Sequence, residues 1–519
     1  MTSEKRKPRI LIVTPEVTYL PGRMKSFSNY LTAKAGGLAD VSASLISALY
    51  HQGVDVHVAL PDYRAIFQNR LAPFLEKEHK TIRKNMPGDR LHLAQDRVFY
   101  YLNRVYSDLA DENIPIALAF QREVINNIIP KVAPDLIHCN DWMTGLIPAV
   151  SRKMGIPCLF TIHNIHTMNI SLAHIEDRGI DAASFWQKLY YSQMPHDYES
   201  VRYHNPVDLL SSGVFASHFV NTVSPTFLME IVEGRHDFIN GALRHELLNK
   251  WNQGCAFGIL NAPDPSFHPK TDKHLVRSYG PKDQAKAKKQ NKLALQRMLA
   301  LKEDENAPIL FWPSRLDGIQ KGSQLLAEIL YKVISSFWKQ NLQVVFVADG
   351  EYQKIFWDIL NFHQFHDRVA ICNFDEHLEH LAYGASDFIL MPSRFEPCGL
   401  PQMIGAIYGS LPIAYDTGGI HDTICHLNVE KNTGNGFLFK YHDSNGLWWA
   451  IEQAMGFYRR PSAVKNLQIQ RIMVESAETF NHDVTAQHYI QLYEKMLDRP
   501  LLVTGDPEQQ EYSSLLKAG

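Results

Sequence analysis

Residues 388–403 read FILMPSRFEPCGLPQM, and this stretch decides the fold. Its first four residues form an uninterrupted apolar run, which is typical of a parallel strand that is covered on both faces. A turn rich in proline follows, and then Leu400, Met403, Ile404 and Ile407 recur with helical spacing up to a glycine at 409. A strand, a turn and a helix in this order are the unit of doubly wound α/β domains.

Similar apolar runs recur in two series along the chain. The first series predicts strands at Arg9–Val13, Val54–Leu60, Leu136–His138, Leu159–Ile162 and Val220–Val223, and the second at Ile309–Trp312, Val344–Ala348, Phe388–Met391 and Leu411–Tyr415. A chain of 519 residues is also too long for one ordinary core. The sequence therefore predicts an α/β protein with two doubly wound, Rossmann-like domains that face a central cleft.

The stretch from Asn261 to Tyr279 is rich in Pro, Asp, Lys and His, and we interpret it as the linker. This places the first domain at residues 1–265, the second at 266–500 and a tail at 501–519, and the last helix could pack back on the first domain. The Lys- and Gln-rich segment 282–301, with leucines and a methionine interspersed, predicts a helix with a solvated face rather than a functional basic patch.

Composition and charge exclude several classes of protein. The net charge of −3, with 21% charged residues, shows no basic excess for nucleic acid. The charged N-terminus has no apolar signal core, and no run of eighteen apolar residues occurs, so we expect a cytoplasmic protein without a membrane partner. Its six cysteines are scattered singly, without the CxxC spacing of zinc sites or the density of a disulfide scaffold.

A pair of glycines marks the first candidate site. Lys34, Gly36 and Gly37 in the segment KAGGLADV precede a helical pattern that follows the first predicted strand. The free amides of a helix N-terminus favour an anionic phosphate, glycines let a ligand approach the backbone, and Lys34 can neutralise charge. The same pattern also fits an ordinary turn.

Two cations mark the second candidate site. Arg315 and Lys321 follow the predicted strand Ile309–Trp312, at the carboxyl end where ligands of such folds bind. A departing diphosphate needs positive charge as the bond to it breaks. No clustered Asp, His or Glu ligands stand beside these loops, so we expect neither a metal nor another cofactor.

A carboxylate and a second glycine pair complete the set. Glu396 precedes the helix that begins near Pro401, where it can accept hydrogen bonds from two sugar hydroxyls, although helix electrostatics alone also explain an acid there. The next predicted strand ends in Thr417, Gly418 and Gly419, which we interpret as a second phosphate-binding turn.

Nine segments recur in the order known from one enzyme family. These are KAGGLADV, PDLIHCNDW, TIHN, NTVSPTF, GILN, NKLALQ, SRLDGIQKG, SRFEPCGLPQM and TGGIHDT. From about residue 7 to about residue 500 the chain resembles the bacterial glycogen synthases and plant starch synthases. The resemblance implies a GT-B fold and transfer of glucose, with retention, from ADP-glucose or UDP-glucose to the end of an α-1,4-glucan.

The resemblance also implies a role for individual residues. It assigns the donor phosphates to Lys34, Gly36, Gly37, Arg315, Lys321, Thr417, Gly418 and Gly419, the transferred glucose to Glu396, Cys398, Gly399, Leu400, His163 and Asp141, and the cleft floor to Asn261. None of these residues is a nucleophile. The family reaction is attributed to attack of the acceptor hydroxyl on the face from which the diphosphate leaves.

Several positions depart from the family pattern. The loop 18–33 is longer than in most members, the usual HDW reads Asn140-Asp141-Trp142, TIHN continues as IHT, Ala262 and Pro263 follow GILN, and Arg315 and Lys321 are one residue further apart. These departures leave the nature of the nucleotide and of the acceptor open.

Two other functions remain open at this point. One is another GT-B transferase, although such families usually have a second glutamate eight positions after the first, where this chain has Ile404. The other is a catalytically inactive paralogue that binds glucan. A glucan phosphorylase fits less well, because no lysine setting for pyridoxal phosphate is evident.

Overall fold

The computed structural model describes residues 6–21, 24, 31–67, 89–107 and 110–502. The chain divides into two compact units. The first unit comprises Met1–Val223, Leu228–Ile259 and His482–Gly519, and the second comprises Ser224–Phe227 and Leu260–Asn481. No described helix combines the length and apolar character needed to cross a membrane.

The described residues of the first unit form a seven-stranded parallel sheet and a small antiparallel pair. Its strands are β1 (Arg9–Val13), β2 (Asp55–Pro61), β3 (Leu91–Ala94), β4 (Leu136–Asn140), β5 (Cys158–Ile162), β6 (Asn169–Ile170), β7 (Val207–Asp208), β8 (Phe219–Thr222) and β9 (Ala256–Gly258). The sheet order is β3-β2-β1-β4-β5-β8-β9, and β6 pairs with β7. All five residues of β4 and of β5 are buried, as expected for central parallel strands.

The second unit is built on a six-stranded parallel sheet. Its strands are β10 (Ile309–Trp312), β11 (Gln343–Val347), β12 (Val369–Cys372), β13 (Phe388–Met391), β14 (Leu411–Tyr415) and β15 (Phe437–Phe439). The order is β12-β11-β10-β13-β14-β15. Two apolar clusters cover its faces, one around Trp312 and Phe346 and the other around Phe311 and Tyr383.

Helices connect the strands in both units. They are α1 (Gly37–His51), α2 (Arg97–Tyr100), α3 (Ala110–Glu123), α4 (Ile129–Val132), α5 (Ile147–Met154), α6 (Leu172–Asp177), α7 (Tyr198–His204), α8 (Leu209–Ala216), α9 (Pro225–Glu233), α10 (Gly241–Asn252), α11 (Gln284–Met298), α12 (Ser323–Ser336), α13 (Gln353–His363), α14 (Glu376–Ala385), α15 (Pro401–Tyr408), α16 (Gly418–Thr423), α17 (Ser444–Tyr458), α18 (Ser462–Thr479) and α19 (His482–Leu497). A π-helical turn, Val124–Ile128, joins α3 to α4.

In each sheet, successive strands are added first on one side of the starting strand and then on its other side, so the strand order reverses once. In the first unit the reversal lies between β1 and β4, and in the second it lies between β10 and β13. Ligands of doubly wound domains bind where this reversal occurs, at the carboxyl ends of the strands. The predicted fold class of two parallel, Rossmann-like sheets is confirmed.

The last described helix, α19, belongs to the first unit although it follows the second unit in the chain. The hydroxyl of Tyr493 lies 2.7 Å from Nδ1 of the buried His138 in β4. The side chain of Asn221 in β8 donates to the hydroxyl of Tyr489 at 3.0 Å. These polar contacts fix α19 on the first sheet.

Candidate functional site

In the first unit, the loop before α1 is held by a buried carboxylate. Glu16 lies three residues beyond β1, and its Oε2 accepts the backbone N–H groups of Ala35 at 2.7 Å and Gly36 at 3.1 Å. The hydroxyl of Tyr106 donates to the other oxygen at 3.2 Å. Glu16 therefore fixes the shape of the KAGG segment from the carboxyl end of β1.

Gly36 and Gly37 have open space in front of them. A Cβ atom built on either residue meets no atom of the other described residues within 4 Å, and neither residue has a positive φ. Neither the backbone conformation nor the packing of the described residues therefore requires glycine at these two positions. The space in front of them is available to a ligand that approaches the backbone.

Lys34 is half exposed and lies beside this space. Its Nζ is 2.9 Å from the carboxylate of Asp40 in the first turn of α1. The hydroxyl of Thr18 donates to the same carboxylate at 2.5 Å. Backbone hydrogen bonds between Val17 and Ala33 close the base of the long loop 18–33, of which residues 22, 23 and 25–30 lie outside the described residues.

Asp141 directly follows β4, the neighbour of β1 at the reversal. Its φ of 56° is unusual for a residue with a side chain, and such strain is often found at functional sites. Its Oδ1 accepts the backbone N–H groups of His163 at 2.7 Å and Asn164 at 3.3 Å. Burial raises the pKa of Asp141 to about 7, although these hydrogen bonds lower it, and the charge of Glu16 adds to the rise.

Burial also raises the pKa of Glu16 to about 7, against the lowering effect of its hydrogen bonds from Ala35 and Gly36. The first unit thus brings together two acids that titrate near neutral pH, one after each strand that flanks the reversal. Perturbed acids of this kind are concentrated at functional sites.

His163 is a neutral hydrogen-bonding group in this arrangement. Burial lowers its pKa to about 3. Its Nε2 lies 2.9 Å from Oδ1 of Asn140, whose amide nitrogen donates to the carbonyl of Val13 at 3.1 Å. Because that amide nitrogen faces a carbonyl, Oδ1 must face the ring, so Nε2 bears the proton and Nδ1 is left as an acceptor.

In the second unit, the predicted cation and the predicted carboxylate contact each other. Nζ of Lys321 lies 2.6 Å from Oε2 of Glu396, and the side chains are only 14% and 8% exposed. Lys321 is in the loop after β10, and Glu396 is in the loop after β13, the two strands that flank the reversal. The amide of Arg394 also donates to the carbonyl of Gln320 at 2.8 Å, which joins the two loops.

Arg315 differs from Lys321 in its surroundings. It follows the end of β10 and is exposed, and its guanidinium forms no hydrogen bond or ion pair with the part of the chain that the structure describes. The adjacent chain is fixed by the indole of Trp312, which donates to the carbonyl of Ser314 at 2.7 Å. Arg315 is therefore a cation on a well-anchored turn.

The loop after Glu396 packs against the second glycine pair. The amide of Gly419 donates to the carbonyl of Glu396 at 2.9 Å, and a Cβ on Gly419 would lie 2.0 Å from the carbonyl oxygen of Cys398. Gly419 is therefore required by the close approach of two backbone segments, and its amide already has a protein acceptor. Gly399, with a φ of 72°, precedes Leu400, which forms the N-cap of α15.

Asn261 lies beside Cys398 in the second unit. Its backbone makes a hydrogen bond to the Cys398 thiol, whose pKa burial raises to about 12, so the sulfur is an unreactive packing group. The Oδ1 atom of Asn261 is buried and has no hydrogen-bond donor among the described residues. A buried acceptor without a partner is costly, which makes it a candidate ligand contact.

Each of the two units matches a known protein family. Residues 9–245 match the family described as starch synthase catalytic domain, and residues 307–456 match glycosyl transferases group 1. The glycogen synthase of Moorella thermoacetica is 32% identical over 95% of this chain and 97% of its own length. The glycogen synthase of Exiguobacterium sibiricum is 31% identical over 89% of this chain and 95% of its own length. The chain belongs to the glycogen and starch synthase family.

A solved structure of this family has the same fold. The catalytic domain of starch synthase IV from Arabidopsis thaliana, bound to ADP and acarbose, aligns with 95% of this chain and all of its own, with a TM-score of 0.75 and 25% identity. This glycogen synthase family member thus has the GT-B fold and is a retaining glucosyltransferase with a nucleotide-sugar donor and a glucan acceptor.

Most of the predicted site residues of this family member lie in two groups. The first unit places Lys34, Gly36 and Gly37 on the loop held by Glu16, and Asp141 and His163 beside each other. The second unit joins Lys321, Glu396, Cys398 and Gly419 by direct contacts. Sequence reasoning missed Glu16 and Asn140; the available signal was their position at the carboxyl ends of the strands that flank the reversal.

Proposed function

We propose that this enzyme extends an α-1,4-glucan at its non-reducing end with glucose from ADP-glucose. Two features support this donor. The motifs KxGGL and EPCGL, at residues 34–38 and 396–400, are those of the bacterial and plant synthases, and the similar starch synthase IV structure holds ADP. The paired Lys321 and Glu396 are the observation on which the proposed mechanism rests.

The departing diphosphate is the proposed ligand of Arg315 and Lys321. Negative charge develops on the diphosphate as the bond to glucose stretches, and preorganised cations stabilise that charge. Among the described residues, Arg315 has no hydrogen-bond or ion-pair partner that the diphosphate would have to replace, whereas Lys321 must share its charge between Glu396 and the diphosphate. Thr417 and Gly418 are the proposed contacts of the distal phosphate, while Gly419 supports the Glu396 loop through its amide.

The transferred glucose is the proposed ligand of the Glu396 loop. The carboxylate can accept hydrogen bonds from sugar hydroxyls while Lys321 balances its charge. Cys398, Gly399 and Leu400 border the sugar in this proposal, and the unpaired Oδ1 of Asn261 offers one further acceptor.

In the first unit, the donor phosphates are the proposed ligands of Lys34, Gly36 and Gly37. The open space in front of both glycines supports this assignment. Asp141 and His163 are the proposed sugar contacts, because the neutral His163 presents Nδ1 as an acceptor and Asp141 is held in a strained conformation by two backbone amides.

The chemical step in this proposal needs no protein nucleophile. The acceptor hydroxyl oxygen forms a bond to C1 of glucose on the face from which the diphosphate leaves, and the bond from C1 to the phosphate oxygen breaks. The proton of the hydroxyl passes to that phosphate oxygen, so charge and configuration are both conserved. The protein supplies cations and hydrogen-bond acceptors in fixed positions.

A comparison of initial rates tests the proposal. Glycogen is incubated with enzyme and either ADP-glucose or UDP-glucose, and incorporation into α-1,4 linkages is measured by NMR. We expect ADP-glucose to give the higher kcat/KM. Equal or faster turnover with UDP-glucose would refute the donor assignment, transfer only to another acceptor would support a different GT-B transferase, and binding of glucan without transfer would support an inactive paralogue.

A further inference from the structure

Three potential metal ligands meet in the second unit, outside the groups described above. They are His274, Glu376 and His380, and one ligand atom from each lies within 4.8 Å of the others. Glu376 and His380 are four residues apart on α14 and therefore share one face of that helix. His274 comes from the segment that precedes α11. The ligands thus join two parts of the unit.

His380 is held in the orientation that a metal ligand requires. Its Nδ1 lies 2.9 Å from the buried carboxylate of Asp272, and its ring stacks on Phe267 with centroids 4.0 Å apart. A carboxylate can only accept at this contact, so Nδ1 bears the proton and Nε2 keeps its lone pair. Carboxylates of this kind fix the tautomer and orientation of metal-binding histidines.

The same carboxylate positions the second histidine. The hydroxyl of Tyr408 donates to Asp272 at 2.5 Å, and the backbone N–H of His274 donates to its other oxygen at 2.9 Å. Nδ1 of His377 also lies 3.3 Å from Nδ1 of His274. Asp272 therefore organises both histidine ligands.

We propose that His274, Glu376 and His380 bind one divalent transition metal of the zinc type. Two imidazoles and one carboxylate suit zinc and cobalt better than magnesium or calcium, which prefer oxygen ligands alone. The three ligands are not next to the cations Arg315 and Lys321. The strand before α14 is β12, and in the sheet β11 lies between β12 and β10, the strand that Arg315 and Lys321 follow. The metal stabilises the second unit by joining the segment around His274 to α14, and it takes no part in glucosyl transfer.

Cobalt and zinc titrations of the full-length protein test this proposal. After removal of metals with a chelator, Co²⁺ should bind once per chain and give visible ligand-field bands without the thiolate charge-transfer band that a cysteine ligand such as the exposed Cys425 produces. Zn²⁺ should displace it and raise Tm. His274→Ala and Glu376→Gln should each weaken zinc binding by at least about 10-fold. The exposed His366, changed to Ala, is the matched control and should leave affinity unchanged.

The variants His274→Ala and Glu376→Gln leave the buried His380 and Asp272 intact. The Tm of each variant, measured in the presence of a chelator, checks that the variant folds. The proposal is refuted if the wild type binds neither ion, if binding gives a thiolate band, or if both variants bind zinc as tightly as the wild type. None of these results depends on the donor or on glucan synthesis, so they are separate from the test of the proposed function.

Discussion

Lys321 and Glu396 form an ion pair of 2.6 Å in which both side chains are largely buried. The donor is therefore expected to bind beside a pair that is already formed, and Lys321 serves both the stability of the loops and the charge of the leaving group. Removing one partner of a buried pair leaves the other charge uncompensated, which typically costs about 3 kcal/mol or more. Arg315, which is exposed, has no such second role.

We therefore expect Arg315→Ala and Lys321→Ala to differ in stability but not in chemistry. Each should lower kcat by about 10² to 10³, the scale for loss of one preorganised stabilising group. Only Lys321→Ala should also lower Tm by several degrees. The double variant should lose less than the product of the two single losses, because both cations act on one diphosphate. Measurement of kcat, donor KM and Tm for all three variants checks this.

The control for this series is Lys354→Ala, which removes an exposed cation from α13 in the same unit. It should change neither kcat nor Tm. If kcat of the folded Arg315 and Lys321 variants stays within about threefold of the wild type, a change of under roughly 1 kcal/mol in the barrier, the assignment to the diphosphate is wrong.

The raised pKa of Glu16 predicts a pH-dependent stability. Its pKa is about 7 in the folded protein against 4.5 as the ordinary value, so the folded state binds more protons than the unfolded state between these values. The contribution of Glu16 to stability therefore falls as pH rises through this window and is constant above it, with a total loss of roughly 3 kcal/mol. Glu16→Gln removes this loss. The Tm of the variant minus that of the wild type should become more positive between pH 5 and pH 8.

Glu199→Gln is the control for Glu16, because Glu199 is an exposed acid on α7 of the same unit. Its Tm difference from the wild type should not vary with pH. A difference for Glu16→Gln that is constant, or that becomes more negative toward pH 8, would contradict the raised pKa.

Activity should not require a divalent metal. Arg315 and Lys321 supply the positive charge that a metal would otherwise provide at the leaving group. Turnover in EDTA should equal turnover in magnesium, measured as glucose incorporated into glycogen. Loss of activity in EDTA that magnesium or manganese restores would contradict this; a lower Tm alone would instead reflect the proposed zinc site.

The segment 18–33 is expected to act on the glucan. Hydrogen bonds between Val17 and Ala33 close its base at the carboxyl end of β1, where binding loops of such sheets gather. Replacing residues 22–30 with a short Gly-Ser linker keeps this base. The apparent KM for glycogen should rise while the KM for the donor changes little. An effect confined to the donor KM or to Tm would rule out this role.

The sequence predicted the central strands well because buried parallel strands are continuous apolar runs. Strands β1, β10, β13 and β14 have the predicted bounds. Strands β3, β9, β12 and β15 were missed, since runs of three or four residues at sheet edges show no distinct periodicity.

The basic helix shows a second limit of sequence reasoning. The predicted helix is present as α11 and has a solvated face, but Lys288 and Lys292 lie on its buried side. Lys288 donates to the carbonyls of Tyr383 and Tyr408, and burial lowers its pKa to about 7, while Lys292 pairs with Asp387 at 2.7 Å. Only tertiary contacts reveal which lysines of a basic helix are satisfied inside the protein.

The candidate site was predictable only in part. Motifs indicated Lys34, Asp141, His163, Lys321 and Glu396, and the structure adds how they are held. Glu16 was missed because its position after a strand is its only sequence signal, and that signal does not show which backbone amides its carboxylate holds. The protein acceptor of the Gly419 amide could not be predicted either, because it depends on the close approach of two loops, one with Glu396 and the other with Gly419.

The position of α19 bears on the order in which the chain folds during synthesis. The first sheet is complete at β9, but the helix that contributes Tyr489 and Tyr493 emerges only after the whole second unit, about 220 residues later. At ribosomal rates this is a delay of roughly 10 to 45 seconds. Until then His138 and Asn221 lack their contacts to Tyr493 and Tyr489. The second unit can therefore finish folding before the first unit has its last helix. A nascent chain stopped before residue 482 would therefore be defective in the part that was made first.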